Sequence, residues 1–377
     1  MKIDFLIALL WHAGLAVCGE RRGMSDTKKE SSKRAQTVLG LVHPDDLGIT
    51  LPHEHLLIDM GIWFAVPKEA ELKKRAFEPV SIENISWIMY NQYNNLDNLR
   101  LLDEDVAIKE AMLFKKEGGG TIVDVTSASF SRDLLALKRI SRATGLNIII
   151  GSGHYVVSGA EIQSFDRKTE DEIAEEIVTD ILVGASNTEI HAGIIGEIGC
   201  SWPLQDREKK SLRACARAQK RTGAAITIHP GRHENSPMEI IKVLNDAGAD
   251  IGRVIMGHID RTGFLPATIH EIAKTGCYLE YDIFGGNPFY PLHFGVFNRP
   301  CDRERIEQFR DLINKGYLKQ ILISQDTCLK SKLVHYGGQG YAHILRNILP
   351  QMLARGMTEE HIKTIMVENP SRFLCFI

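Results

Sequence analysis

Ala192-Gly-Ile-Ile-Gly-Glu-Ile-Gly199 is the stretch on which the fold turns. Three isoleucines among glycines make a short, nearly continuous apolar run. That is the pattern of a parallel strand whose outer face is covered by helices. Inside it stands one carboxylate, Glu197, which is costly to bury unless paired or metal-bound. Seven further runs share this character: Thr50–His55, Gly120–Thr126, Asn147–Gly151, Ala224–His229, Arg253–His258, Gly276–Asp282 and Gln320–Asp326. Helix signals lie between them. Ile173, Ile177 and Ile181 recur every fourth residue after an acidic first turn, with Gly184 as the stop. Ser236-Pro237 reads as an N-cap and a proline at N1 ahead of Ile240, Ile241 and Leu244, and Arg207 to Gly223 is a third helix ended by glycine. Strand–helix units repeated this way predict an α/β fold, and eight of them predict a closed (β/α)8 TIM barrel rather than an open sheet.

The 377 residues and 44% hydrophobic content suffice for one large core of this kind. The formal net charge is only −3, so neither a nucleic-acid-binding face nor a polybasic membrane patch is expected. No run of about 18 apolar residues suggests a membrane span. Seven cysteines, an odd number without CxxC pairing, fit free thiols in a reducing cytosol, and Cys200, Cys277 and Cys328 fall in or just after strand runs, where a thiol packs as a small apolar group. The N-terminus points elsewhere. Lys2 and the apolar Phe5–Val17 resemble a secretory signal, but Asp4 and His12 interrupt it, and Met24 opens a polar segment that reads as a cytosolic start. Residues 1–35 are therefore an N-terminal extension, either a signal segment or an upstream start, and 36–377 a single TIM-barrel domain. The expected location is the cytosol, with secretion the alternative if residues 1–19 act as a signal; only then would the sequon at Asn84-Ile-Ser86 matter. The long connection from about 56 to 103, rich in aromatic and Asn residues, is either a pocket wall or a helical insertion on the outside.

Side chains capable of metal chemistry fall at the strand ends. His53 and His55 are two apart, so both imidazoles face the barrel interior. Glu197 lies in the fourth strand, His229 ends the fifth, His258 the sixth and Asp326 the eighth. Barrel active sites form at the carboxyl ends of strands, where all six converge. Any one alone would read as a polar core residue. Six together point to a metal centre, and six are too many for one tetrahedral zinc. They suit two divalent cations about 3.5–4 Å apart: His53, His55 and Asp326 on the first, His229 and His258 on the second, Glu197 bridging. Asp326 can take a proton from the attacking hydroxide and deliver it to the leaving group. Arg232 and Arg261 each follow a ligand by three residues, placing guanidinium forks above the metals for a sulfonate or carboxylate; alternatively, Arg232 pairs with Glu234 and Arg261 with Asp260. Tyr155 lines the pocket or packs beside it. His154, His233, His335 and His343 read as surface or supporting residues.

The order and local sequences of these residues resemble the amidohydrolase superfamily. Thr37-Val-Leu-Gly-Leu-Val42, Pro52-His-Glu-His55, Gly193-Ile-Ile-Gly-Glu-Ile-Gly-Cys-Ser-Trp-Pro203, His229-Pro-Gly-Arg232, Leu279-Glu-Tyr-Asp-Ile-Phe-Gly285 and Val367-Glu-Asn-Pro370 resemble in particular the animal branch of its phosphotriesterase family. The resemblance runs from about residue 36 to the C-terminus. It implies two divalent cations, zinc by expectation, and hydrolysis of the amide of N-acetyltaurine to taurine and acetate, with other N-acetyl amino acids as further substrates. The expected partner is a small acidic N-acyl substrate, and a homodimer is compatible with it. Glu197 stands where bacterial members bridge the metals with a carboxylated lysine. The arginine of lactonase-like members is missing from Asp282-Ile-Phe-Gly285, which demotes lactone hydrolysis. Pro52 replaces a threonine usual in the family, altering a backbone contact. Gln325 replaces a histidine, which removes a supporting or substrate contact. The alternatives are a phosphotriester hydrolase and a catalytically weakened barrel that binds a small acidic ligand.

Overall fold

The computed structural model describes residues 33–156, 161–286 and 299–376. Eight parallel strands form one sheet: β1 (Ile49–Glu54), β2 (Gly119–Asp124), β3 (Asn147–Ser152), β4 (Ile194–Gly199), β5 (Ile226–His229), β6 (Val254–Met256), β7 (Tyr278–Tyr281) and β8 (Ile321–Ile323). Each pairs with its sequence neighbour, so the strand order β1 to β8 follows the chain. The β8–β1 seam is closed largely by side chains. Asp326 N–H donates to the His53 carbonyl at 3.2 Å, and His53 N–H donates to Ser324 Oγ at 3.1 Å. Glu54, the middle residue of His-Glu-His, faces away from the two imidazoles. Its buried carboxylate accepts from Ser324 Oγ (2.7 Å), Gln325 N–H (2.8 Å) and Thr327 N–H (2.9 Å). Burial nonetheless lifts its pKa above the ordinary range. The β1–β2 register breaks between Leu51 and Glu54, around Pro52, which has no N–H to give the ladder.

The outer helices follow their apolar periods. In α1 (Glu170–Leu182), Ile173, Ile177 and Ile181 are buried, and Thr169 and Glu172 form a capping box at its start. A fully buried isoleucine of this kind contributes about 1.5–3 kcal/mol relative to an exposed one. Helix α2 (Asp206–Thr222) ends on Gly223 in the left-handed conformation. Helix α3 (Ser236–Asp246) starts one residue earlier than its sequence signal: Asn235 is the N-cap, and the buried Ser236 hydroxyl instead accepts the Gly231 N–H of the preceding loop.

Of the two readings of the long connection the pocket wall is the one observed, and two further expectations need adjustment. The connection after β1 builds a pocket wall: Ile58–Asp59 pairs antiparallel with Arg100–Leu101, and Met60, Trp63 and Tyr93 between them face the barrel mouth. Strands β6 and β8 end before their candidate ligands. His258 and Asp326 lie beyond the ladders with φ of 56° and 47°, a left-handed turn that brings each side chain over the mouth. Such a conformation costs a non-glycine residue about 1–2 kcal/mol. Asn84 is buried and its side-chain amide bonds Pro79 and Ser81, so the folded chain does not present the sequon. Cys200, Cys277 and Cys328 are buried free thiols, and burial pushes Cys277 up to about 11. Cys18, Met24 and the apolar N-terminal run lie outside the described residues. Among the described residues, no helix is long and apolar enough to cross a membrane.

Candidate metal centre

The six sequence-chosen residues meet at the carboxyl ends of the strands. Glu197 is at the middle. Its Oε1 lies 2.7 Å from His229 Nδ1, 3.0 Å from His258 Nε2 and 3.6 Å from His53 Nε2. Asp326 Oδ1 stands opposite, 3.3 Å from His55 Nε2 and 4.0 Å from His53 Nε2. Two clusters able to hold a cation result: His53, His55 and Asp326, and Glu197, His229 and His258. All but Asp326 are buried. A third grouping, His53, His258 and Asp282, is also close enough. There, however, Asp282 meets Nδ1 of both rings, at 3.3 and 2.7 Å, whereas Glu197 and Asp326 meet His53 at Nε2. An imidazole that gives one nitrogen to a metal uses the other as a donor, so Asp282 stands as an acceptor behind the rings, closest to His258, and not as a third ligand.

The electrostatics agree with a site built for cations. Burial works against the His53 imidazolium, but Glu197 and Asp282 outweigh it and raise its pKa. Burial also opposes ionisation of Glu197 and is overcome by His229 and His53, so its carboxyl lies well below the usual range. His229 moves the other way: burial and the Arg261 guanidinium hold it neutral, the form in which an imidazole can bind a cation. Asp326 is likewise kept ionised: burial is outweighed by Lys332 and the His55 hydrogen bond. Lys332 Nζ also donates to the carbonyls of Gln325 and Asp326, at 2.9 and 2.5 Å, bracing the left-handed turn.

Above the centre opens a cavity of ≈ 380 Å³. Trp63, Tyr93, Phe130, Tyr155 and Trp202 form aromatic walls, and Arg232, Arg261 and Arg299 bring positive charge. Tyr155 O–H is 3.0 Å from His229 Nε2, and burial raises its pKa, so the phenol remains a donor. Arg261 is nearly buried against His229 Nε2 and the Pro230 carbonyl. The pairings weighed for the two arginines do not form as envisaged. Asp260 pairs with the buried Arg305 (2.5 Å), and Glu234 accepts from Leu265 N–H and the Thr268 hydroxyl. Gln325, read from the sequence as the loss of a supporting or substrate contact, is buried with its amide on the Gly340 carbonyl and is not part of the cavity wall. His154 meets Glu176, His233 stacks on Trp202 and His343 meets Asp302.

The rings have supports that the sequence reading did not pick out. His55 Nδ1 meets Thr126 Oγ1 at 2.8 Å, His53 Nδ1 meets Glu280 Oε2 at 3.0 Å, and Asp282 holds His258. A signal for two of these was present: Glu280-x-Asp282 in the seventh strand has the same period of two as His53-x-His55 in the first.

Comparison with known proteins converges on one group. The model of the Phosphotriesterase family matches residues 33–374. An N-acetyltaurine hydrolase of Xenopus tropicalis is 44% identical over 346 residues, 92% of this chain and 99% of that protein. One from Dictyostelium discoideum is 43% identical over 364 residues, 91% of this chain and 98% of that protein. Among solved structures, a resiniferatoxin-binding protein from Rhodobacter sphaeroides superposes with a TM-score of 0.87 at 35% identity, covering 91% of this chain and 95% of that one. The barrel, the His-Glu-Asp cluster at its mouth and these likenesses together place the chain in the phosphotriesterase family.

Proposed function

We propose that the protein is a binuclear metal-dependent hydrolase that cleaves the amide of N-acetyltaurine to taurine and acetate. The observation that carries this is the placement of the Glu197 carboxylate among three imidazoles, with Asp326 across from it. The fit to cations can be tested on one atom. His53 Nε2 is buried and, among the described residues, has no hydrogen-bond partner, although it faces two carboxylates. A buried orphan nitrogen in such company is accounted for by a cation. His53, His55 and Asp326 would hold one ion and His229 and His258 the other, with Glu197 shared. Nitrogen and oxygen donors of this kind suit zinc. When bound, two divalent cations supply Lewis acidity toward the acyl carbonyl and toward water.

The chain's own groups do the rest. Asp326 accepts a proton from the attacking water and returns it to the leaving amine as the C–N bond breaks, so that water and amide become acetate and free taurine. Asp326 is held in its ionised form, so the acceptor is unprotonated at neutral pH. Arg232 on the cavity wall grips the sulfonate. Arg261 and Tyr155 lie on the floor beside His229, where they steady the ring and add positive potential and a donor. The aromatic walls exclude water around the acyl group. The relatives named N-acetyltaurine hydrolases support this substrate. A cytosolic location is part of the reading and is supported by the described cysteines, all free thiols.

The test is an assay of purified protein against N-acetyltaurine, a phosphotriester and a lactone, with elemental analysis of the same sample. Amide turnover with about two divalent ions per chain is expected. Turnover only of the phosphotriester, or full activity after the metal is stripped, would reverse the assignment.

A further inference from the structure

Glu280 is a carboxylate that neither the proposed ligand set nor the substrate pocket uses. It lies in β7, is fully buried, and faces the barrel interior beside Asp282, two residues on. Its Oε2 is 3.0 Å from His53 Nδ1, and its Oε1 has no hydrogen-bond partner among the described residues. Asp282 also approaches His53 Nδ1, at 3.3 Å, but its oxygens already serve His258: Oδ1 at Nδ1 (2.7 Å) and Oδ2 at the backbone N–H (2.9 Å). Glu280 is thus the carboxylate devoted to His53. The fold makes room for the pair. A Cβ on Gly257 would stand 2.7 Å from the Ile228 carbonyl, 3.2 Å from Asp282 Oδ2 and 3.5 Å from Glu280 Oε2.

An imidazole has one proton to place when neutral. A carboxylate acceptor at Nδ1 fixes that proton there, leaving the Nε2 lone pair aimed at Glu197 and Asp326. We propose that Glu280 is the positioning residue for His53, setting its tautomer and ring orientation so that the affinity for one of the two ions depends on a residue that touches neither ion nor substrate. This rests on the binuclear reading above. It also makes the two halves of the centre unequal: His53 and His55 depend on Glu280 and Thr126, while His258 depends on Asp282.

The test compares wild-type protein with Glu280→Gln and Glu280→Asp, each loaded with zinc and dialysed against a graded series of chelator concentrations. Metal per chain and circular dichroism are read on the same samples. With wild type holding two ions, Glu280→Gln is expected to release one at a chelator activity about 10–100-fold lower while retaining the other, with Glu280→Asp between them. Release of both ions at wild-type concentrations by a folded Gln variant would overturn the proposal. If wild type binds no zinc, the binuclear reading itself fails, which is a separate result. If the Gln variant does not fold, neutron diffraction from the zinc-loaded wild-type protein decides. A deuteron on His53 Nδ1 supports the assignment, and one on Nε2 overturns it.

Discussion

Replacing Arg305 with methionine should destabilise the barrel and disturb the metal centre together. The Arg305 and Asp260 side chains are both fully buried, with Arg305 Nε 2.5 Å from Asp260 Oδ2 and Nη1 2.7 Å from Asp302 Oδ1. Asp260 also accepts the backbone N–H groups of Asp282 (3.2 Å) and Ile283 (3.1 Å), so it anchors the residue that orients His258. Methionine approximates the volume of the arginine stem but carries no charge, leaving Asp260 as an uncompensated buried anion near Asp282. Breaking a buried pair in this way costs about 3–5 kcal/mol, or roughly two to three and a half orders of magnitude in the folded-to-unfolded ratio. Removing both charges is far milder. Arg305→Met combined with Asp260→Asn should recover most of the loss, because the two backbone donors then face a neutral amide. Equilibrium urea unfolding of wild type, both single variants and the double variant closes the cycle and isolates the coupling. A single Arg305→Met variant within about 1 kcal/mol of wild type, or singles that simply add in the double, would refute the reasoning.

Glu197→Gln should weaken binding of both ions sharply, since a neutral amide cannot serve two cations as a carboxylate does; wild-type activity should be indifferent to added bicarbonate. A fully active Gln variant would reduce Glu197 to a core residue. Chelation should abolish turnover and readdition of zinc restore it, monitored as taurine released. Arg232→Ala should lower kcat/KM for N-acetyltaurine by roughly one to three orders of magnitude, the worth of one or two charge-assisted hydrogen bonds, while leaving the metals bound and a neutral ester nearly unaffected. Equal losses on acidic and neutral substrates would instead make Arg232 a structural residue.

Local chemistry repeats itself along this chain, and that is why the barrel could be read from the residues. Runs such as Ile194–Gly199 and Ile226–His229 carry their burial in their own composition. The candidate metal-binding residues were readable for the same reason: each is a polar side chain within an apolar run or just past its end. What escaped depended on contacts between strands distant in sequence. Glu280 and Asp282 matter through His53 and His258, and nothing within β7 alone names those partners. Arg261 beside Asp260 looked like a pair along the chain. In three dimensions Asp260 takes Arg305, from a helix more than forty residues later. The residues that take the left-handed conformation, His258 and Asp326, are not glycines, so the sequence does not announce it.

The carboxylate of Glu54 has a bearing on biosynthesis. It fastens the first strand to Ser324, Gln325 and Thr327, contacts that span some 270 residues of sequence. His53 and His55, on either side of it, share Asp326 with that same seam. A chain still emerging from the ribosome therefore owns two histidines of one proposed cation site long before it owns the aspartate that would complete it. Barrel closure and completion of that site are one event, so a truncated or half-made polypeptide lacks the assembled centre. On the proposed ligand set, a molecule able to activate water there has already joined its last strand to its first.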